Sequence, residues 1–381
     1  MRTTGIICEY NPLHLGHQKQ LRLLKQHPDT AIVCLMSGYF VQRGAPAIFD
    51  KMARAEAAVR CGADLVLELP VTAALSSAEG FAAKSVSILS PFCQQLSFGA
   101  EDADPDNLLS LAGALLDRSF PDHLHEALAE GLSFPAARQA AIEKMGYDGS
   151  LLEKPNNILA IEYCKAILSQ GSLMKPMPIT RRGSYHDTEP DSQNPSATAV
   201  RAQIYTGKDW HSFVPAPALS CFADKAVHTL SNGESAILAR LRTMADEDFD
   251  ALPYGSEGLW RKLMHAAREK ATLDEIITAT KSKRYTRTRL DRMVMCAFLG
   301  ITKKTLNEPA PYTRVLAFND TGREVLKKAR ESGDFVNAGE IRTNAYQLLE
   351  DRCGDLYGLF AKKPEPPGRT KKERVIYLEY K

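Results

Sequence analysis

The residues of this 381-residue chain that could do chemistry gather first in EYNPLHLGH, Glu9 to His17. Two histidines flank a glycine in His14-Leu15-Gly16-His17, directly after an apolar run and a proline-containing turn. Imidazoles donate hydrogen bonds to phosphate oxygens as charge grows in a transition state. A helix starting here points backbone N–H groups at an anion, and Gly16 lets a phosphate approach the main chain. The combination suits a triphosphate and needs no covalent nucleophile, because it positions and neutralises. Two other readings stay open on spacing alone. The histidines could be a metal pair, although no third ligand follows at suggestive spacing. They could also be incidental to a structural turn.

Further polar groups follow other apolar runs. The stretch SGYFVQRGAPAIFDK sets Ser37, Gly38, Gln42, Arg43 and Lys51 just beyond TAIVCLM. Arg43 and Lys51 can hold a carboxylate or a phosphate, and a solvated loop is the plain alternative. Glu68 closes ADLVLEL and either faces the site or is a paired structural carboxylate. Gly99 ends a short strand and can present a backbone N–H. Asn156 and Asn157 sit where a helix opens, so simple capping competes with ligand contact. Arg181 and Arg182 leave another strand-like stretch. In SATAVR, Ser196 and Thr198 suit a helix cap or a phosphate contact, and Arg201 is expected to turn back to the site.

The elements that must position these groups alternate. Strands are expected at Gly5–Glu9, Thr30–Met36, Ala63–Leu69, Gln95–Phe98 and Lys175–Thr180. Helices are expected at His17–Lys25, Phe49–Cys61, Ala78–Leu89 and Asn156–Leu168, with a helical stretch from Asp106 to Met145. Such alternation predicts an α/β fold with a Rossmann-like parallel sheet, whose ligands lie beyond the strands' carboxyl ends. From Ser212 to Leu299 the pattern is mostly helical, with breaks near Asp246 and Pro253. A small C-terminal α/β segment carries a strand at Tyr312–Asn319 and a helix at Gly322–Arg330. We therefore divide the chain into an α/β domain (1–205), a helical region (206–310) and a basic C-terminal region (311–381).

Composition narrows the classes. Forty-eight Lys and Arg against 46 Asp and Glu leave a net charge of +2, so any pull on nucleic acid must come from local patches. The eight cysteines form no CxxC pair, which argues against a disulfide framework or a zinc site. No apolar run reaches membrane-spanning length and the first residues are too short for a signal peptide, so the cytoplasm is the expected compartment. Two patches exist. KSKRYTRTRLDR (281–292) carries six basic residues against one Asp, and KKPEPPGRTKKER (362–374) six against two Glu. Basic runs suit phosphate tracking, and an aromatic such as Tyr285 suits base stacking. A solvated helix face is the plain alternative.

The strings GIICEYNPLHLGH, MSGYFVQRGAPAIFDK, GADLVLELP, SFGAE, KPNNILAIEY, SATAVR and KRYTRTRLDR span most of the chain. Together they resemble the bacterial tRNA(Met) cytidine acetate ligases, within the HIGH-type nucleotidyltransferase superfamily. Leu13 and Leu15 depart from the common Phe and polar residue. The resemblance implies that acetate and ATP, with Mg2+ on the nucleotide, give acetyl-adenylate and pyrophosphate. The acetyl group then passes to the exocyclic amine of the wobble cytidine of elongator tRNA(Met). It implies His14 and His17 as catalytic residues. It implies ATP contacts from Ile7, Cys8, Glu9, Tyr10, Asn11, Pro12, Leu13, His14, Leu15, Gly16, His17 and Gly99. Asn156 or Asn157, Arg181 or Arg182, Ser196, Thr198 and Arg201 would complete that set. Ser37, Gly38, Gln42, Arg43 and Lys51 would meet acetate or RNA, and Lys283, Arg284, Tyr285, Arg287 and Arg289 the tRNA. A small-molecule nucleotidyltransferase and a non-catalytic ATP-binding regulator are the competing classes.

Overall fold

The computed structural model describes residues 1–27, 29–180, 195–282 and 285–379. Strand β1 (Arg2–Cys8) leads through helix α1 (Leu15–Leu24) to β2 (Thr30–Ser37). The small antiparallel pair β3 (Phe40–Val41) and β4 (Ala45–Pro46) forms a hairpin ahead of helix α2 (Lys51–Arg60) and β5 (Leu65–Leu69). Strand β6 (Gln95–Ala100) and, after a helical excursion, β7 (Lys175–Thr180) complete a parallel set ordered β5-β2-β1-β6-β7. The chain builds outward from β1 on one side, then crosses back to build on the other. The order therefore reverses between β1 and β6, and their carboxyl ends flank the expected ligand crevice.

β1 starts at Arg2, earlier than the expected Gly5, because Arg2–Thr4 pair in register with Thr30–Ile32. Every residue of β2 (TAIVCLMS) is buried, as a central parallel strand covered on both faces requires. Its alternate residues feed two cores. Val33 and Leu35 meet Phe81, Leu111 and Ile161 on one face. Ile32, Cys34 and Met36 meet Leu13, Leu21 and Val59 on the other. The expected helical stretch Asp106–Met145 is three helices, Pro105–Leu116, Phe120–Ala129 and Phe134–Lys144, each with a proline in its first turn.

A third core holds the helical region. Leu263, Ile276, Leu290, Met293 and Phe298 pack there with Tyr357 and Phe360 from the C-terminal segment. The break expected at Asp246 lies just before it, because Asp246–Asp250 is a short helix. The C-terminal segment joins the main sheet. Strand β8 (Thr313–Phe318) lies antiparallel to β5, and β9 (Phe335–Asn337) and β10 (Ile376–Tyr377) run parallel to β8. The sheet thus crosses the boundary drawn at residue 311. No helix among the described residues is long and apolar enough to cross a membrane.

Candidate active site

The loop after β1 is fixed from several sides. Tyr10 takes a left-handed backbone (φ 42°), unusual for a residue with a side chain. Its buried ring meets the His17 ring edge-on at 5.0 Å, and its hydroxyl lies 3.5 Å from Cys34 Sγ. Asn11 Oδ1 accepts the Ile48 N–H at 2.7 Å. Arg201 Nη1 donates to the Asn11 carbonyl at 2.6 Å, and its Nη2 to Thr198 Oγ1 at 3.2 Å. The arginine expected to face the site thereby ties the two signature segments together.

His14 is the N-cap of α1. Its Nδ1 accepts the Gly16 N–H at 3.1 Å, and His17 Nδ1 accepts the His14 N–H at 3.3 Å. A nitrogen that accepts carries no hydrogen, so in each neutral imidazole the hydrogen is assigned to Nε2. The cap therefore sets both tautomers and makes each Nε2 a donor. The two rings stack with centroids 3.7 Å apart. This differs from the expectation of a helix start with open amides, because His14 takes the Gly16 amide. Gly16 itself answers a packing need: a Cβ there would stand 3.0 Å from His14 Cε1. Pro195 O would be 3.7 Å from that Cβ, so helix Ala197–Tyr205 starts against the first turn of α1. Ser196 caps that helix, its Oγ accepting the Ala199 N–H at 3.1 Å.

Across β1, Gly99 pairs with Ile179 near the carboxyl end of β6. Asn157 is fully buried, and its Oδ1 accepts the Glu101 and Asp102 N–H groups at 2.9 and 3.0 Å. Glu101 returns the contact, capping Asn157 N at 2.9 Å and accepting from Asn156 Nδ2 at 2.6 Å. Asn157 thus shapes the loop after β6, and Asn156 is the partly exposed member of the pair. Arg181 and Arg182 lie outside the described residues.

The second polar stretch behaves differently. Lys51, a candidate acetate or RNA contact, is fully buried. It holds Glu68 at 2.7 and 2.9 Å and Glu373 at 3.2 Å. Burial alone would lower its pKa, but Glu373 and Glu68 outweigh that and hold it raised. It is an internal ion pair, and Glu68 is the paired structural carboxylate. A Cβ at Gly38 would come within 2.4 Å of Glu68 Oε1, so any other residue there has to displace that carboxylate. Arg54, also fully buried, donates to the Phe49, Glu9 and Ser37 carbonyls at 2.9, 2.7 and 2.9 Å and to that of Gly38. Ser37 Oγ is buried and makes no hydrogen bond among the described residues. The Gln42 N–H donates to Glu9 Oε1 at 3.0 Å. Gly44 packs so closely on helix Arg287–Leu299 that a Cβ would meet Arg292 N at 2.5 Å. Arg43 there stands near Asp291, whose carboxyl burial pushes up to about 6 against the pull of Arg287, Arg292 and Arg43.

The basic patches divide too. Arg289 donates to the Tyr254 carbonyl at 2.8 Å and to Ser256 Oγ at 3.0 Å, and lies over the Tyr285 ring. Arg287 is half-exposed and pairs with Asp274 at 2.7 Å. Lys283 and Arg284 lie outside the described residues. In the second patch Arg369 is bound to Asp50 at 2.5 Å, while Lys362, Lys363, Lys371 and Lys372 are exposed. Sequence reasoning missed Glu101 and Glu373 as partners of Asn157 and Lys51. Only Glu101 gave a local signal, as an acid directly beyond a strand end.

A reversing parallel sheet with a tautomer-fixed histidine pair beyond its first strand defines a nucleotidyl transferase, and the family model described as HIGH Nucleotidyl Transferase matches residues 1–371. The tRNA(Met) cytidine acetate ligase of Clostridium novyi (strain NT) is 37% identical, over 88% of this chain and 89% of its own. That of Alkaliphilus metalliredigens (strain QYMF) is 37% identical over 95% of each. The apo crystal structure of Thermotoga maritima TmcAL superposes with a TM-score of 0.91 at 28% identity, covering all of both chains. The same protein bound with alpha-thio ATP gives 0.89 at 27%, again with full coverage. The chain belongs to the tRNA(Met) cytidine acetate ligase family of the HIGH nucleotidyl transferases.

Proposed function

We propose that this protein joins acetate to ATP as acetyl-adenylate, with release of pyrophosphate. It then transfers the acetyl group to the exocyclic amine of the wobble cytidine of elongator tRNA(Met). The observation that carries this reading is the histidine pair, each ring held with Nε2–H as donor beside the start of helix Ala197–Tyr205. Those donors suit the α-phosphate region as negative charge grows there. The relatives' name supplies acetate and tRNA(Met), and the ATP-analogue complex of Thermotoga maritima TmcAL supports ATP.

Acetate is a poor acyl donor because its leaving group would be oxide. Attack of its oxygen on the α-phosphorus makes that oxygen part of AMP, a far better leaving group for the amine. Mg2+ would accompany the triphosphate and would help neutralise the negative charge on it. The test is labelled pyrophosphate exchange into ATP with a panel of carboxylates, followed by acetylation of tRNA(Met). Acetate-dependent exchange supports the reading. Exchange that needs a phosphorylated metabolite makes the protein a small-molecule nucleotidyltransferase, and no exchange makes it a nucleotide-binding regulator. Efficient acetylation from acetyl-CoA without ATP defeats the mechanism.

A further inference from the structure

The activation step leaves one chemical demand unmet. When the cytidine amine attacks acetyl-adenylate, it must lose a proton, and a donor Nε2–H cannot take one. Glu9 stands where a base could. It directly follows β1, where Ile6 and Cys8 pack with Tyr10 in the core under α1 and Ile7 packs in the core on the opposite face; Glu9, two residues after Ile7, continues that second face. There its carboxylate adds to the upward push that burial gives the Tyr163 hydroxyl, on helix Pro155–Ser169. A ligand laid over the end of β1 would meet the histidines from one side and Glu9 from the other.

The carboxylate is oriented. Its Oε1 accepts the Gln42 N–H at 3.0 Å, while Oε2 accepts no hydrogen bond among the described residues. The Glu9 carbonyl is pinned at 2.7 Å by Arg54, which also holds the Ser37 and Gly38 carbonyls. Gln42 belongs to the turn of the β3–β4 hairpin, and Gly44 of that turn packs on helix Arg287–Leu299 beside the first basic patch. Glu9 thus bridges the nucleotide loop and the element that leads to the patch.

We infer that Glu9 Oε2 accepts the proton from the attacking cytidine amine, a role that rests on the acetyl-transfer reading. The amine nitrogen's lone pair forms the C–N bond as the carbonyl π pair moves to oxygen. That pair returns as the acyl C–O bond breaks, and AMP leaves with the bonding electrons. The amine proton passes to Glu9, which later loses it to solvent.

The test compares two assays on Glu9→Gln, whose amide oxygen can still accept the Gln42 N–H but whose side chain cannot take a proton. One assay is acetate-dependent pyrophosphate exchange. The other is single-turnover acetylation of tRNA(Met) from added acetyl-adenylate. Transfer should fall at least about 100-fold further than exchange, the scale of general base catalysis. Glu9→Asp should recover part of the loss. Equal losses in both assays, or native transfer by Glu9→Gln, would each overturn the role. Absence of acetate-dependent exchange in the native protein would overturn the acetyl-transfer reading, and this role with it.

Discussion

The segment after β1 and the segment after β2, through the β3–β4 hairpin into α2, both present polar groups beyond a buried strand, yet they use them in opposite ways. In the first, the partners of His14 and His17 lie within a few residues, and the resulting cap sets each Nε2 as a donor. In the second, Lys51 and Arg54 are drawn wholly inside, the lysine by Glu68 and Glu373 and the arginine by four main-chain carbonyls. A cation near a sheet's ligand edge is therefore not by itself a ligand contact. What decides is whether acceptors from other segments reach it first.

The largest effect that would test this contrast is on stability. Replacing Lys51 with Met leaves Glu373 buried without its cation and Glu68 with Arg314 alone, 3.6 Å away, and should cost about 3–5 kcal/mol in chemical denaturation. A stable Lys51→Met protein with a selective loss of acetate use would return Lys51 to the site. Next, His17→Ala should slow acetate-dependent pyrophosphate exchange by roughly 10²–10³, with little change in melting temperature. His14→Ala should show the same kinetic loss and also about 1 kcal/mol of instability, because it removes a helix cap. Unchanged exchange in both would break the comparison.

A smaller effect is the pH response of the buried cluster. Burial and the neighbouring Glu68 push the Glu350 carboxyl up to about 7, against Arg314. The folded state therefore holds this proton more tightly than the unfolded chain does. Its contribution is complete below the ordinary carboxylate pKa and is lost as pH rises toward about 7. Glu350→Gln, which still offers an oxygen to the Val71 N–H, should flatten that decline in urea melts at pH 5 and pH 7. The smallest effect is at the basic helix. Arg287→Ala together with Lys283→Ala and Arg284→Ala should weaken tRNA acetylation and its salt dependence while leaving exchange intact. The exposed Arg287–Asp274 pair contributes only about 0–1 kcal/mol, so the fold should barely respond. Arg289→Ala should destabilise more, because it serves Tyr254 and Ser256.

Much of the frame was legible because it is local. Apolar runs of strand length alternate with helical periods, and the parallel sheet follows from that alternation. The histidine cap was legible as a helix start. The strand at Tyr312–Asn319 was also visible, but not its antiparallel place beside β5, since nothing near residue 313 specifies a partner near residue 67. The same limit hid Glu373 from Lys51. Asn157 read equally well as ligand or cap. Only the loop at Glu101 shows that its Oδ1 holds main chain.

The late arrival of β8 has a consequence for how the protein is made. Strand β5 is buried along its whole length, and its outer edge is covered by residues 313–318. On the ribosome that edge stays open until most of the polypeptide has been synthesised, and Lys51 waits longer still for Glu373. An uncovered apolar strand is a template for pairing with other chains. A message truncated before codon 313 should therefore yield an aggregating product, although every histidine-loop residue would already be present.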